Sequence, residues 1–158
     1  MKYFLIAFGL FCLLVVVPLV SEESLPTHSD EEEWISLFNG TNLEDWDIKI
    51  AGRPLHDNYL NTFQVEDEMI RIVYDEYENF DYKYGHLYYK KPYSHYKLRF
   101  DYRFVGEQIP GGETWNVRNS GIMVHSQSAA SNALEQFFPV SIEVQLLGGL
   151  GDGNPRTT

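Results

Sequence analysis

Two short segments of the sequence carry the side chains best suited to chemistry, and one of them is residues 141–147. In this segment Glu143 and Gln145 alternate with apolar residues. Side chains alternate across a β-strand, so one face is ready to pack in a core while the other presents a carboxylate and an amide. A carboxylate can take or give a proton, and an amide can hold a hydroxyl group by hydrogen bonds.

The other segment, residues 119–125, has the same character. Asn119, Gly121 and His125 fall on one face of the predicted strand, and Ser120 falls on the opposite face with apolar neighbours. As neighbouring strands, the two segments would surround a glycine floor with polar side chains. Such a bed suits a polyol, and the sequence therefore predicts a carbohydrate site.

The acidic residues limit the mechanism. Ordinary glycoside hydrolysis uses two carboxyl groups, one as an acid and one as a base or nucleophile. On the 141–147 strand only Glu143 qualifies, because the Gln145 amide does not exchange a proton at useful pH. The acidic residues 66–68 are predicted to lie at a hairpin tip. The sequence does not support the two-carboxylate mechanism.

Trp115 is the candidate platform on which a sugar stacks. It lies in the glycine-rich segment 111–116, and loops of this kind on a β-sheet scaffold often carry binding residues. Trp34 and Trp46 are predicted to be structural instead. The flat indole ring of Trp115 would meet the C–H face of a sugar.

The charge balance limits the partners. The sequence has 23 Asp and Glu against 12 Lys and Arg, for a formal net charge of -11. Nucleic-acid binding relies on Lys and Arg to release counterions, so no nucleic acid is expected as a partner. Peripheral contact with anionic lipid is disfavoured for the same reason. A small neutral saccharide or glycoside is compatible with this charge.

The N-terminal part of the sequence predicts export to the periplasm, the cell surface or the medium. Residues 1–21 combine Lys2, a long apolar run and a polar end at Ser21, which is typical of a secretory signal. An uncleaved anchor is the alternative, and only that would make a membrane a partner. Residues 22–33 read as an acidic linker. Cys12 is the sole cysteine, so the exported part is expected to lack disulfides.

Residues 34–158 are predicted to form an all-β domain. Short alternating segments are separated by Gly, Pro and Asn, and residues 96–104 alternate most clearly. This pattern is typical of an antiparallel β-sandwich or jelly roll. The site strand would be an unprotected edge if it were the last, so we expect further strands after Thr158. The predicted strands include 62–66 and 69–74, which form a hairpin, and 85–89, 96–104, 119–125 and 141–147.

Several segments, in this order, resemble the 3-keto-disaccharide hydrolase domain family. They are residues 37–40 with Leu43 and Trp46, then 63–67, 85–88, 96–104, 119–122 and 143–147. Each is weak alone, but together they cover nearly everything from residue 34 on. The resemblance implies a concanavalin A-like β-sandwich, and it implies that the domain continues beyond Thr158.

The resemblance also implies cleavage of a 3-keto-disaccharide or a 3-keto-glucoside. A ketone at C3 of a sugar acidifies the hydrogen on C2. Once that proton is removed, the enolate can expel the C1 substituent, and water can add back. This route needs one base and one group that stabilises the negative charge on the ketone oxygen. Glu143 or a histidine is the expected base or metal ligand, and Asn119, Ser120 and Gln145 are expected to hold hydroxyl groups.

Hydrogen-bond donors or a divalent metal ion would stabilise the negative charge on the ketone oxygen. His86 and His125 are the candidate nitrogen ligands, because neutral imidazole binds such metals well. Two other classes of function stay open. One is a non-catalytic, lectin-like carbohydrate-binding module, which the single carboxylate favours. The other is a surface interaction domain with no sugar ligand.

Overall fold

The computed structural model of the protein describes residues 33–156. The predicted signal or anchor at residues 1–21 lies outside these residues, and so does the predicted linker apart from Glu33. Contacts divide the chain into residues 1–34 and residues 35–158, and the strands found among the described residues all belong to the second unit. Within the described part of the chain, no helix has the length and apolar character needed to cross a membrane.

The described residues form an all-β structure, as the sequence predicts. Its regular structure consists of six strands, with three short 3₁₀ turns between them. The strands are β1 (Trp46–Ile50), β2 (Phe63–Glu66), β3 (Met69–Ile72), β4 (Gly85–Tyr89), β5 (Asn119–Val124) and β6 (Ile142–Leu147). The 3₁₀ turns are Tyr59–Asn61, Thr114–Asn116 and Ala129–Ser131.

The strands pair antiparallel in three two-stranded sheets, β1 with β4, β2 with β3, and β5 with β6. The predicted β2–β3 hairpin and the predicted strand at residues 85–89 are confirmed. Within residues 33–156 no strand of one sheet pairs with a strand of another. The sandwich or jelly roll therefore stays a prediction.

The β2–β3 hairpin turns at Asp67 and Glu68, whose φ angles are +50° and +58°. Two central residues with positive φ give the backbone twist that matches the flanking strands. The register places Glu66 opposite Met69, and Arg71 forms an ion pair with Glu66. The short turn keeps the two strands in a fixed register.

The core lies around the end of β1 and the start of β2. A Cβ atom on Gly85 would stand 3.0 Å from Phe63 Cζ and 3.4 Å from Ile50 Cγ1. Glycine at the start of β4 therefore lets that strand approach the Phe63 ring closely. The buried apolar residues are Ile50, Ala51, Phe63, Val73, Tyr77, Phe80 and Ala129.

Lys49 on β1 is buried beside this core, with 3% of its surface exposed. Its ammonium group donates hydrogen bonds to the carbonyl oxygens of Ile50 at 3.2 Å, Arg53 at 2.6 Å and Leu134 at 3.3 Å. A buried ammonium is costly unless its N–H groups are satisfied, and these three acceptors satisfy them. Lys49 thereby ties β1 to the long segment that connects β5 with β6.

The clearest predicted strand, residues 96–104, is not a strand in the structure, and that prediction was wrong. Its backbone pairs with no strand of the described residues. Its apolar side chains are open to solvent, with Leu98 41% and Phe100 43% exposed. Alternation predicts that a segment has two different faces, but a strand also requires a neighbouring backbone that accepts its hydrogen bonds.

The apolar face of β6 also differs from its prediction. Ile142 and Val144 were expected to face a core, and they are 63% and 53% exposed. Their cross-strand partners are Val124 and Ile122, so the apolar residues of the two strands do share one face. The described residues supply no second layer that buries it.

Candidate active site on the β5–β6 hairpin

The register of β5 and β6 decides which side chains share a face. Gly121 lies opposite Gln145, and Met123 lies opposite Glu143. Directly opposed residues of antiparallel strands project to the same side, as does every second residue along a strand. Asn119 therefore shares a face with Glu143 and Gln145, as the sequence predicts. We call this side of the hairpin the polar face.

The Glu143 side chain lies over Gly121, diagonally across the hairpin from its own position. A Cβ atom on Gly121 would meet Glu143 Cγ at 2.7 Å and Cδ at 2.8 Å, and it would come closer still to Oε1. Real Cβ atoms essentially never show contacts under 3.0 Å. The Glu143 side chain therefore occupies the space that a larger residue at position 121 would fill.

The carboxylate of Glu143 is open to solvent. No other residue in the described range donates a hydrogen bond to it or forms an ion pair with it. Both of its oxygens are therefore available to a bound molecule. A carboxylate in this state can accept a proton without first breaking a bond to the protein.

Asn119 and Gln145 form an amide pair on the same face. Gln145 Nε2 donates to Asn119 Oδ1 and, at 3.2 Å, to the carbonyl oxygen of Ser120. Asn119 Nδ2 donates to the carbonyl oxygen of Trp115 at 2.8 Å. A backbone carbonyl only accepts, so these bonds fix the orientation of both amides. No other residue between 33 and 156 bonds to Gln145 Oε1 or to the second N–H of Asn119.

The side chain of Ser120 lies on the opposite face of the hairpin. Its cross-strand partner is Leu146, whereas Glu143 and Gln145 project to the polar face. The structure therefore does not bring the Ser120 hydroxyl together with the Glu143 carboxylate. Ser120 takes part through its backbone carbonyl, which holds Gln145, and a contact of its side chain with a sugar stays a prediction.

Trp115 stands near the Asn119 end of the hairpin, on the 3₁₀ turn Thr114–Asn116. Its ring stacks on Tyr84, with centroids 5.8 Å apart and planes at 9°. Phe138 lies 6.4 Å from Trp115 and 4.7 Å from Tyr84. Trp115 is 45% exposed. The three-ring cluster therefore supports the indole while leaving part of the ring exposed to solvent.

Sequence reasoning missed Arg156, which holds the Trp115 loop to the end of the hairpin. Its guanidinium donates to the carbonyl oxygens of Trp115 at 2.9 Å, of Gly148 at 3.0 Å and of Val117. A guanidinium has five N–H donors, so one side chain can satisfy several carbonyls outside the strand ladder. Arg156 lies far from Trp115 in the sequence, and no local sequence motif predicts this contact.

His86, a predicted metal ligand, lies on β4 rather than on the polar face. Its Nε2 is 2.7 Å from the carbonyl oxygen of Phe137. Because a carbonyl only accepts, Nε2 carries the proton, and Nδ1 holds the free lone pair of the neutral ring. Burial lowers the pKa of His86, the bond to Phe137 opposes that change, and the nearby charge of Lys49 lowers the pKa further. The ring is therefore neutral at pH 7.

His125, the other predicted metal ligand, follows β5 with a φ of +52° and is exposed. Within residues 33–156 no group of three or more His, Cys, Asp or Glu side chains is placed to hold a metal ion. His86 also uses its Nε2 for a backbone carbonyl. The residues present do not form a metal donor set, so the divalent metal stays a prediction and no reaction step is assigned to it.

A cavity of about 280 Å³ lies elsewhere, between the end of β3 and residues 105–110. Its lining includes Arg71, Asp75 and Glu107 but none of the predicted site residues. Arg71 is already paired with Glu66. We therefore place the candidate site on the polar face, where an open carboxylate and free amide atoms lie on one side of the hairpin.

Comparison with known proteins connects this geometry to a family. The family model described as the 3-keto-alpha-glucoside-1,2-lyase-like domain matches residues 33–158. This match covers well over half of the chain and agrees with the family that the sequence segments resemble. No curated protein and no solved structure matches the chain.

Proposed function

Because the chain belongs to the family of 3-keto-alpha-glucoside-1,2-lyase-like domains, we propose that it is an enzyme that cleaves a 3-keto-glucoside or a 3-keto-disaccharide. The family description indicates a carbohydrate substrate, a ketone at C3 and a bond change between C1 and C2. One observation on this chain carries the proposal. It is the open carboxylate of Glu143, held over Gly121 on a face that also presents two amides.

In the proposed reaction Glu143 is the general base. One of its oxygens takes the proton from C2, and the C–H electrons form an enolate with the C3 ketone. The enolate then restores the C3 carbonyl, forms a C1=C2 double bond and breaks the bond from C1 to the leaving oxygen. The leaving oxygen takes the proton back from Glu143. Water adds across C1=C2, so the overall change is hydrolysis.

The two amides supply the proposed contacts to substrate oxygens. The second N–H of Asn119 can donate to a hydroxyl group or to the ketone oxygen, where negative charge develops in the enolate. Gln145 Oε1 can accept a hydrogen bond from a sugar hydroxyl. Both amides are held by hydrogen bonds to the protein. Their side chains are therefore already oriented before a substrate binds.

A single carboxylate also favours elimination over the two-carboxylate mechanism. Glycosidases of the ordinary kind place two carboxyl groups on either side of the scissile bond, about 5 to 10 Å apart. The strands β5 and β6 contain one acidic residue, Glu143. One base suffices when a ketone acidifies the neighbouring C–H bond, and this supports the reaction proposed for the family's substrates.

The architecture and the location belong to the same proposal. We propose a concanavalin A-like sandwich, supported by the all-β structure and its antiparallel pairing. We propose an exported protein, supported by the signal-like residues 1–21 and by an acidic composition suited to a neutral substrate. An exported domain of this kind would meet its sugar outside the cytoplasm.

The deciding experiment incubates the full chain with 3-keto-trehalose and with a 3-keto-glucoside and follows free sugar by NMR. The Glu143→Gln variant should lower turnover by about 10²- to 10⁴-fold, because it removes the base while keeping the shape of the side chain. Affinity should change little. Glu107→Gln, a change at an exposed acidic residue away from the hairpin, is the matched control and should keep full turnover.

A non-catalytic carbohydrate-binding module is the alternative, and the exposed Trp115 ring favours it. A stacking surface and two amides bind a sugar without any need for a base. In that case the wild type would release no sugar, yet the sugar resonances would shift on binding. Turnover that survives in Glu143→Gln would instead show that another group is the base.

A further inference from the structure

We propose that Gly121 is a positioning residue for Glu143, because the absence of a side chain at position 121 sets where the carboxylate stands on the polar face. This inference rests on the proposed role of Glu143 as the base. It assigns to Gly121 a part in the reaction, although a glycine has no functional group of its own.

Glycine at position 121 is not explained by the backbone. Glycine is required where φ is positive, as at Gly40 with +78° and Gly52 with +75°, but Gly121 is in the interior of β5 and has no positive φ. In a strand interior glycine is less favourable than residues with a side chain, and it often marks the close approach of another group. At Gly121 the approaching group is the Glu143 side chain.

The surroundings of Glu143 show why the gap matters. On the facing strand the carboxylate's neighbours are Met123, directly opposite, and Gly121, on the diagonal. Met123 has a long side chain, and its sulfur already accepts a hydrogen bond from the Ser141 hydroxyl at 3.3 Å. Gly121 is the position that leaves room, and the Glu143 side chain fills it.

A larger residue at position 121 would move the carboxylate rather than the strand. The three atoms nearest to a Cβ there are Oε1, Cγ and Cδ of Glu143, which belong to a flexible side chain and not to the backbone. At Gly148, by contrast, a Cβ would meet the Arg118 Cβ and the Phe104 ring at 2.8 Å. Gly121→Ala should therefore displace the base while leaving the hairpin folded.

The first test is Gly121→Ala in the full chain, assayed for release of sugar from a 3-keto-glucoside. A displacement of about 1 Å at the base should lower kcat by about 10²-fold, and KM should change much less because the amides and Trp115 stay in place. Gly149→Ala is the matched control, since a Cβ there has nothing within 4 Å. It should keep both kcat and KM.

The second test asks whether the effect passes through Glu143. Glu143→Ala removes Cγ, Cδ and both oxygens from the space above Gly121, so Gly121→Ala should have little further effect on the residual turnover when it is added to Glu143→Ala. The two changes would then be strongly non-additive. A loss of kcat that is the same in both backgrounds would overturn the inference, as would a Gly121→Ala variant with unchanged kcat. Circular dichroism verifies that each variant is folded.

Failure of the inference is separable from failure of the proposed function. If the wild type releases no sugar, the enzyme proposal fails. The position of Glu143 is then followed through its side-chain NMR resonance during titration with the same 3-keto-glucoside. Gly121→Ala should shift the side-chain resonance of Glu143 in the wild-type background, whereas Gly149→Ala should not. An unchanged Glu143 resonance in Gly121→Ala would overturn the positioning role in either case.

Discussion

At the scale of single residues, the polar face combines an open carboxylate with two amides that hold each other in place. Gln145 donates both N–H groups to Asn119 and Ser120, and Asn119 donates to the Trp115 carbonyl. Residues that share a hydrogen-bond network do not act independently when they are replaced. Asn119 and Gln145 are therefore best treated as one unit, and Glu143 as the proposed base beside it.

His86 is expected to make the stability of the fold depend on pH. Its pKa in the folded chain lies below the ordinary value of 6.5, chiefly because the ring is buried. The unfolded chain therefore binds more protons than the folded chain between these two pKa values. The part of the free energy of unfolding that depends on His86 is therefore largest above about pH 6.5. It decreases as the pH falls from 6.5 toward the lowered pKa.

The measurement is the urea midpoint from pH 8 down to pH 5 for the wild type and for His86→Gln. The Gln amide can keep the hydrogen bond to the Phe137 carbonyl without taking up a proton, so this variant should lose less stability on acidification. His125→Gln removes an exposed imidazole instead and serves as the control. An equal slope in the wild type and His86→Gln would contradict the assignment.

The residues of the site differ in how far the sequence predicts them. Alternation within two strands placed Asn119, Glu143 and Gln145 on one face, because that property is local to each strand. The position of Arg156 on the Trp115 loop depends on contacts between distant parts of the chain. Such contacts leave no periodic pattern, and so sequence reasoning had no signal for them.

At the scale of elements, the β2–β3 turn offers a test of local backbone energetics. Asp67 and Glu68 both have positive φ, a conformation that costs an ordinary residue about 1 kcal/mol. Glu68→Gly should therefore raise the free energy of unfolding by up to about 1 kcal/mol. The entropy that glycine loses on folding reduces this gain, because glycine is more flexible in the unfolded chain. Urea denaturation measures the change.

The control for that prediction is Glu76→Gly, at an exposed loop residue that does not have positive φ. There glycine adds flexibility to the unfolded chain without relieving the backbone, so the same substitution should destabilise the protein. A Glu68→Gly variant that is destabilised as much as Glu76→Gly would show that the turn does not depend on this conformation in solution.

Strand pairing shows the limit of pattern reading for elements. The β2–β3 hairpin was predictable because its two strands are separated by a two-residue turn. The pairing of β1 with β4 spans residues 51–84, and alternation within a strand says nothing about such a distant partner. Residues 96–104 show the converse, since a clear alternation there has no paired strand in the described structure.

At the scale of the whole molecule, the net charge makes most of the surface polar, whereas one face of the β5–β6 hairpin exposes apolar side chains. The net charge of -11 keeps copies of the chain apart and disfavours anionic partners. The exposed side chains of Ile142 and Val144 interrupt this polar surface on the side of the hairpin opposite Glu143. A neutral sugar on the polar face is therefore compatible both with the charge and with the division of the hairpin into two faces.

Lys49 gives the folded molecule a chemical reporter that needs no substrate. Acetic anhydride modifies amines that it can reach, and Lys90 and Lys91 are exposed whereas the Lys49 ammonium is enclosed by three carbonyls. Mass spectrometry of the treated native chain should find acetyl groups on Lys90 and Lys91 and none on Lys49, until urea is added. Early acetylation of Lys49 in native buffer would contradict its enclosure. Because one of the three carbonyls belongs to Leu134, acetylation at Lys49 would record the moment when the β5–β6 connection lifts from β1.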